Sequence, residues 1–333
     1  MRLIESLATI IERPINQLKL VEEIGRTCYK SNDLITEDSY KSFCNGLLNR
    51  KHFAMLEHAV FHFVIQKGSD IYNTIEHNKH QNAYQYMVFD YLTMPYESED
   101  VVLITANLRA ILESKNSDLI NALLCRYEWL RQLDEEYKVT YRTNKDIQVL
   151  DEKELKQYLC DNDDFYNSGY YYKRHHIITV KFVCNRAISH ELVRHRPCSF
   201  AQVSQRYVNY SKDKFGNEIP FIKSPFYKPS NTDSSYIVWL ECCKRIEQDY
   251  FKLLRLGHKP EEARGVLSND VATEIYVTAT GEEWQHIINL RAFDTTGKAH
   301  PQMKEIMLPL AQKLINMNIG FYNPREVEQD VSR

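Results

Sequence analysis

Three residues able to carry positive charge stand in a row, Arg194, a protonatable His195 and Arg196, and polar residues then recur at every second position, Gln202, Ser204 and Arg206. In an extended segment, residues two apart share a face. The spacing therefore predicts one hydrogen-bonding row, with Ala201, Val203 and Tyr207 turned toward packing. Guanidinium groups offer forked donors that match phosphate oxygens, and clustering them without an anion costs repulsion. The chemistry expected of this stretch is the binding of an oxyanion. The competing reading is a solvated face of an edge strand.

Arg291 is the second anomaly. Trp284, Ile287, Ile288 and Arg291 follow i, i+3, i+4, i+7 spacing, which puts the arginine on the apolar stripe of a helix. A buried guanidinium needs a partner. It either serves a site or ends the helix, snorkelling outward or pairing with a core carboxylate. Arg264 lies in the first turns of a helix beginning near Pro260, a natural place for phosphate, although Glu261 three residues earlier is an equally simple partner. His52 and His58 flank "FAMLE" and by themselves decide nothing.

The elements that must position these residues are set in a chain of 333 residues, 43% hydrophobic and 26% charged, with a formal net charge of −3. An acidic balance argues against a general nucleic-acid binder, so the cations near 194 are local and suit a small anionic ligand. None of the 10 glycines forms G-x-G, which excludes the usual dinucleotide fingerprint and the phosphate loop of nucleotide hydrolases. The 8 cysteines contain no C-x-x-C pair, and no signal peptide or apolar span is evident. Reduced thiols in a cytoplasmic protein without a metal site are the expectation.

Residues 1–66 read as helices followed by a strand from about Val60 to Ile65. The tract from about 67 to 178, rich in Tyr, Asn, Asp and Lys, reads as a largely helical insertion. A strand at Ile177–Val183 then leads into a short helix carrying Ile188 and Leu192 on one face, with Glu191 and Arg194 within pairing distance on another. A long amphipathic helix over 234–256 ends at Gly257, Pro260 opens the next with Glu261 and Glu262 at its positive end, and a last helix lies near 301–317. The fold class expected is α+β, a mixed or antiparallel sheet flanked by helices, in a single domain 1–333.

Arg194-His195-Arg196, seven residues, Ser204, then Arg206-Tyr207 resembles the signature of flavin-dependent thymidylate synthases. The flanks "CNRAISHELVRHR" and "RYVNYSKDKFGNEIPFI" are similar to those of its longer members, as are "RTCYKS", "HFAMLEHAVFHF", "KPEEARGVLS" and "EEWQHIINLRAFDTTGKAHPQM". The resemblance implies an enzyme making dTMP from dUMP with methylenetetrahydrofolate as carbon donor. FAD re-reduced by NADPH would supply the hydride, in a homotetramer whose active sites lie where subunits meet. No cysteine nucleophile, nucleic acid, membrane or metal is implied.

Carried over residue by residue, Arg194, His195, Arg196 and Gln202 would hold FAD, together with His52, Thr280, Glu282 and His286. The dUMP site would be built from Glu191, Arg194, Gln202, Ser204, Arg206 and Arg264. Arg291 would face the uracil ring as the catalytic cation. Several positions depart from the family pattern. Ala201-Gln202 replaces the frequent Asn-Glu, so the carboxylate that a general base would need is missing there. Thr280-Gly281-Glu282 stands where compact members have Asn-x-Arg, and Glu282 cannot hold a phosphate as an arginine would. Glu191 takes the place of an uncharged glutamine in compact members. Two rival readings remain at this point. One is a nucleic-acid-processing protein using Arg194, Arg196, Arg206 and Arg264 on backbone phosphates; the other is a catalytically silent dUMP-binding relative.

Overall fold

The computed structural model describes residues 1–92, 100–133, 143–162, 168–212, 216–230 and 232–324. Strands β1 (Arg2–Ile4) and β2 (Leu7–Ile11) open the chain. Helix α1 (Gln17–Tyr29) begins where Asn16 Oδ1 accepts the Leu18 N–H at 3.1 Å and stops at Lys30, whose φ of 52° is left-handed. Helix α2 (Ser39–Asn49) packs on α1, and strand β3 (Val60–Gln66) follows.

The tract beyond 66 carries helices α3 (Asp70–Asn78), α4 (Leu108–Ser114), α5 (Ser117–Arg126), α6 (Glu152–Asn162) and α7 (Ser168–His175). It also carries strands β4 (Met87–Leu92), β5 (Val101–Asn107) and β6 (Ile147–Leu150), which join β3 in an antiparallel sheet of order β4-β5-β3-β6. The strands escape a composition reading because β5, "VVLITAN", is buried on both faces and shows no alternation. Residues 93–99, 134–142 and 163–167 of the tract lie outside the described residues.

The second four-stranded sheet positions the site. Its order is β2-β7-β10-β8, with β7 (Ile177–Asn185), β8 (Ser199–Gln202) and β10 (Ala272–Thr280). Strands β7 and β10 pair antiparallel along their whole length, from Ile177 opposite Thr280 to Asn185 opposite Ala272. Helix α8 (Arg186–Leu192) springs from the end of β7, and Asn185 caps it by accepting the Ile188 N–H at 2.9 Å. Between them run the parallel partner of β1, β9 (Pro220–Ile222), the long α9 (Ser234–Arg255) and the one-turn α10 (Pro260–Ala263). Gly257 takes a φ of 93° just past α9, in keeping with the expected stop.

Helix α11 (Gly281–Arg291) continues directly from β10, and α12 (Pro301–Ile315) packs beside it. Trp284, Ile287 and Ile288 are buried against Val180, Phe182 and Met307. The Trp284 indole N–H donates to the Ile178 carbonyl at 3.0 Å, so the ring is buried without an unmet donor. Complete burial of such a ring contributes roughly 3 kcal/mol. That packing fixes the rotation of α11 and therefore the direction in which Arg291 leaves it.

The polar row expected over 202–206 does not form as one strand face. Strand β8 ends at Gln202, and after Val203 donates to the Glu274 carbonyl at 2.9 Å the chain folds into a turn. The Ser204 carbonyl accepts from the N–H groups of Tyr207 and Val208 at 3.3 and 3.0 Å. Ala201 and Val203 are buried as expected, but Tyr207 is exposed and lies 5.3 Å from the Tyr29 ring. Period-two reasoning fails where the pairing partner ends. Among the described residues, no helix is long and apolar enough to cross a membrane. All eight cysteines are free thiols.

Candidate active site

Arg291 is the centre of the site. Its Nη1 donates to Glu191 Oε2 at 2.7 Å, and its Nε donates to His195 Nε2 at 3.1 Å. A guanidinium can only donate, so this contact assigns the lone pair to His195 Nε2 and the proton to Nδ1. Burial, then the nearby Arg291, His286 and Arg196, pushes the His195 pKa down to about 4. The ring is therefore neutral at pH 7. Glu191 pairs with Arg291 rather than with Arg194, which lies just past the end of α8.

Helix α11 brings in further groups. His286 is exposed, with its ring 6.2 Å from that of His195 in an edge-to-face arrangement. Glu283 is 8% exposed, and its Oε1 is buried with no hydrogen-bond partner among the described residues. Burial, helped by the neighbouring Glu282, pushes this carboxyl up to about 7. Donor atoms of His195, Glu283 and His286 all lie within 4.8 Å of one another. A cation placed among them would face the Arg291 guanidinium bound to His195, so the set suits a neutral or anionic group better than a metal ion.

Thr280 and Glu282 stand at the head of the same helix. The Thr280 hydroxyl is engaged as the cap, accepting the Glu283 N–H at 3.3 Å. Glu282 points outward and pairs with Arg174 of α7 at 3.1 Å. Gln202 is anchored next to α8, its Nε2 donating to Ser189 Oγ at 2.7 Å and to Thr273 Oγ1 at 3.3 Å. Ser204 donates its N–H to the Cys28 carbonyl at 2.9 Å, which ties the turn to the end of α1.

The remaining cations are arranged around this centre. Arg206 pairs with Glu261 Oε2 at 2.7 Å, which leaves Arg264 without the partner its spacing suggested. Arg264 and Arg194 are exposed, and among the described residues neither has a carboxylate within ion-pair distance. Arg196 lies over the Phe200 ring at 5.6 Å. His52 is exposed ahead of a short helical turn, Phe53–His58, that abuts β8; the structure does not bring it to Arg291 by any direct contact.

The family model described as thymidylate synthase complementing protein matches residues 137–316, more than half of the chain. The chain belongs to this family, the flavin-dependent thymidylate synthases. The flavin-dependent thymidylate synthase of Corynebacterium efficiens is 30% identical over 139 residues, covering 39% of this chain and 54% of that one. That of Geobacter sulfurreducens is 36% identical over 107 residues, covering 32% and 44%. The chain spans about half the length of the curated relatives it matches. A solved structure, the UMP/dUMP methylase PolB from Streptomyces cacaoi bound with 5-Br UMP, overlaps 48% of this chain and 75% of that one. Its sequence identity is 21% and its TM-score 0.35, too loose an overlay to align side chains.

For a flavin-dependent thymidylate synthase family member, the matched stretch holds Arg194, His195, Arg196, Arg264 and Arg291, while His52 lies outside it. Three residues that sequence reasoning missed also belong to the region. Glu283 sits four residues before Ile287, on the same stripe that exposed Arg291 as an anomaly, so its signal was available. Arg186, half-buried on α8, is held below the usual arginine range by burial, opposed by Tyr210 and Cys184 and assisted by the Arg264 charge. Arg174 enters from α7, and nothing in its local sequence marks it.

Proposed function

We propose that the chain is a flavin-dependent thymidylate synthase converting dUMP to dTMP, with methylenetetrahydrofolate as carbon donor. The catalytic unit spans 1–333, interrupted at about 67–178, and works as a homotetramer with sites between subunits. The observation that carries this reading is Arg291, a cation on an apolar stripe held by Glu191 and a neutral His195. A guanidinium fixed against a uracil ring stabilises the negative charge left when the N3 proton is lost. That charge makes the neighbouring ring carbon a better nucleophile toward the methylene donor.

The donor set fits FAD. Arg194 and Arg196 are exposed guanidiniums suited to its phosphates. His195, Gln202, His286, Thr280 and His52 complete the residues proposed to hold it, while Glu282, which the resemblance placed with them, pairs with Arg174 instead. The orphaned Glu283 Oε1 beside them is a buried polar atom that a ring bearing N–H groups would satisfy. When bound and reduced by NADPH, the flavin would supply the hydride that completes the methyl group. Glu191, Gln202, Ser204, Arg206 and Arg264 would orient dUMP, with Arg206 held in place by Glu261. The backbone-phosphate reading draws less support, because the chain is net acidic.

The test is the visible absorption spectrum of the purified protein reconstituted with FAD, before and after dUMP. A protein-bound flavin spectrum perturbed by dUMP is expected. Absence of flavin binding even with dUMP present would overturn the proposal.

A further inference from the structure

At the head of α11, Glu282 and Glu283 place two carboxyl groups beside the residues assigned to an anionic dinucleotide. Glu282 and His286 are one turn apart on the same exposed face, and His286 is the residue that meets His195. An uncompensated carboxylate there would repel the cofactor over a distance comparable with the screening length of about 8–10 Å.

The inserted tract answers that charge. Arg174 donates through Nη1 to both Glu282 oxygens, at 3.1 and 3.3 Å, and through Nε to Asp90 Oδ2 at 2.7 Å. The arrangement is built from within the tract. Asp90 also meets His175 Nε2 at 2.9 Å, and His175 Nδ1 meets Thr105 Oγ1 at 2.7 Å. Thr105 in turn meets His62 Nδ1 at 2.7 Å. The end of the tract is also seated on the helix: the Gly281 N–H donates to the His176 carbonyl at 2.8 Å. A Cβ at Gly281 would lie 2.8 Å from the Lys173 carbonyl oxygen.

Resting on the flavin reading above, we infer that Arg174 is a positioning residue of the cofactor site, by which the inserted tract neutralises Glu282 and lets the head of α11 accept an anionic dinucleotide. Arg174 acts through Glu282 and needs no contact with the cofactor. With Asp90 and Glu282 it forms a set of one net negative charge. Arg174→Gln makes that two, Glu282→Gln makes it zero, and the double variant returns it to one.

The experiment is a double-mutant cycle on FAD affinity, read by quenching of flavin fluorescence in the presence of dUMP at low salt. Arg174→Gln should weaken binding roughly five- to tenfold, the order expected of one partly screened charge. Glu282→Gln should tighten it several-fold, and the double variant should return to within about twofold of wild type. If Arg174→Gln does not fold, Arg174→Lys and Glu282→Gln decide. The lysine variant should stay near wild type, because charge matters here and the forked geometry does not. A double variant as weak as Arg174→Gln, or Glu282→Gln without tighter binding, overturns the inference, since a merely structural arginine would give that result. Wild-type protein that binds no flavin overturns the function with it; wild-type binding with a flat cycle overturns this inference alone.

Discussion

At the scale of single residues, Arg291 was legible because an arginine on an apolar stripe is costly unless something answers it. What answers it was not legible. Glu191 and His195 come from a different helix and turn, a hundred residues earlier in the chain. Arg291→Ala should lower dTMP formation by about 100-fold or more, the order seen when one preorganised donor is removed. Circular dichroism should stay native, and wild-type turnover would remove Arg291 from the mechanism.

The titrating pair beside Arg291 gives a second outcome. His195 is held near 4 in the fold against an ordinary 6.5, so its stabilising contribution is present above pH 6.5 and lost as pH falls toward 4. Glu283 is held near 7 against an ordinary 4.5, so its contribution is present below 4.5 and lost as pH rises through 7. Thermal midpoints of the flavin-free protein should therefore fall on both sides of the window from about pH 5 to 6.5. Glu283→Gln should flatten the alkaline side and make the acid-side fall begin near pH 6.5, because the opposing Glu283 titration no longer offsets that of His195.

At the scale of elements, the long α9, β7 and its short following helix, and α12 were readable from period and caps. The long α9 is amphipathic and stops at Gly257, whereas β7, although buried on both faces, stood out by its run of β-branched residues. Strands β4, β5 and β6 were not, because the sheet they form with β3 buries them in part or wholly on both faces. The polar row at 202–206 misled for a related reason. A strand persists only as far as its partner, and β10 offers β8 four paired positions. Two substitutions test how tightly these elements hold the site. Gly281→Ala, at a position with no unusual backbone angle but no room for a methyl group, should cost about 1–3 kcal/mol in chemical denaturation. Asn185→Ala removes the cap that starts α8 and should cost about 1 kcal/mol. Its larger consequence should be weaker dUMP affinity, through the loosened Glu191.

At the scale of the molecule, Arg194 and Arg264 are exposed and, among the described residues, without carboxylate partners, as cations would be at a boundary completed by another subunit and its ligands. Sedimentation should show a species of four times the 39.4 kDa chain mass. A monomer at micromolar concentration would separate these residues from any shared site. Ligands that bind only the folded form should raise its stability, by about 2.7 kcal/mol at a concentration 100 times the dissociation constant. FAD and dUMP together should therefore shift the unfolding midpoint upward.

The sheet that carries the site draws its strands from distant parts of the chain. Strand β2 ends at Ile11, its partner β7 begins at Ile177, and β10, which lies against both β7 and β8, begins at Ala272. At ribosomal speeds of about 5–20 residues per second, β2 waits roughly ten to thirty seconds for a partner. The Arg194 segment then emerges several seconds before β10 can pair with β8. The sheet of β3 to β6, by contrast, is complete once residue 150 has been made. Nascent chains should thus pass through a stage in which the sheet of β3 to β6 is complete and the sheet that positions Arg291 does not yet exist. Anything that slows translation between 202 and 272 prolongs the exposure of the apolar faces of β7 and α8.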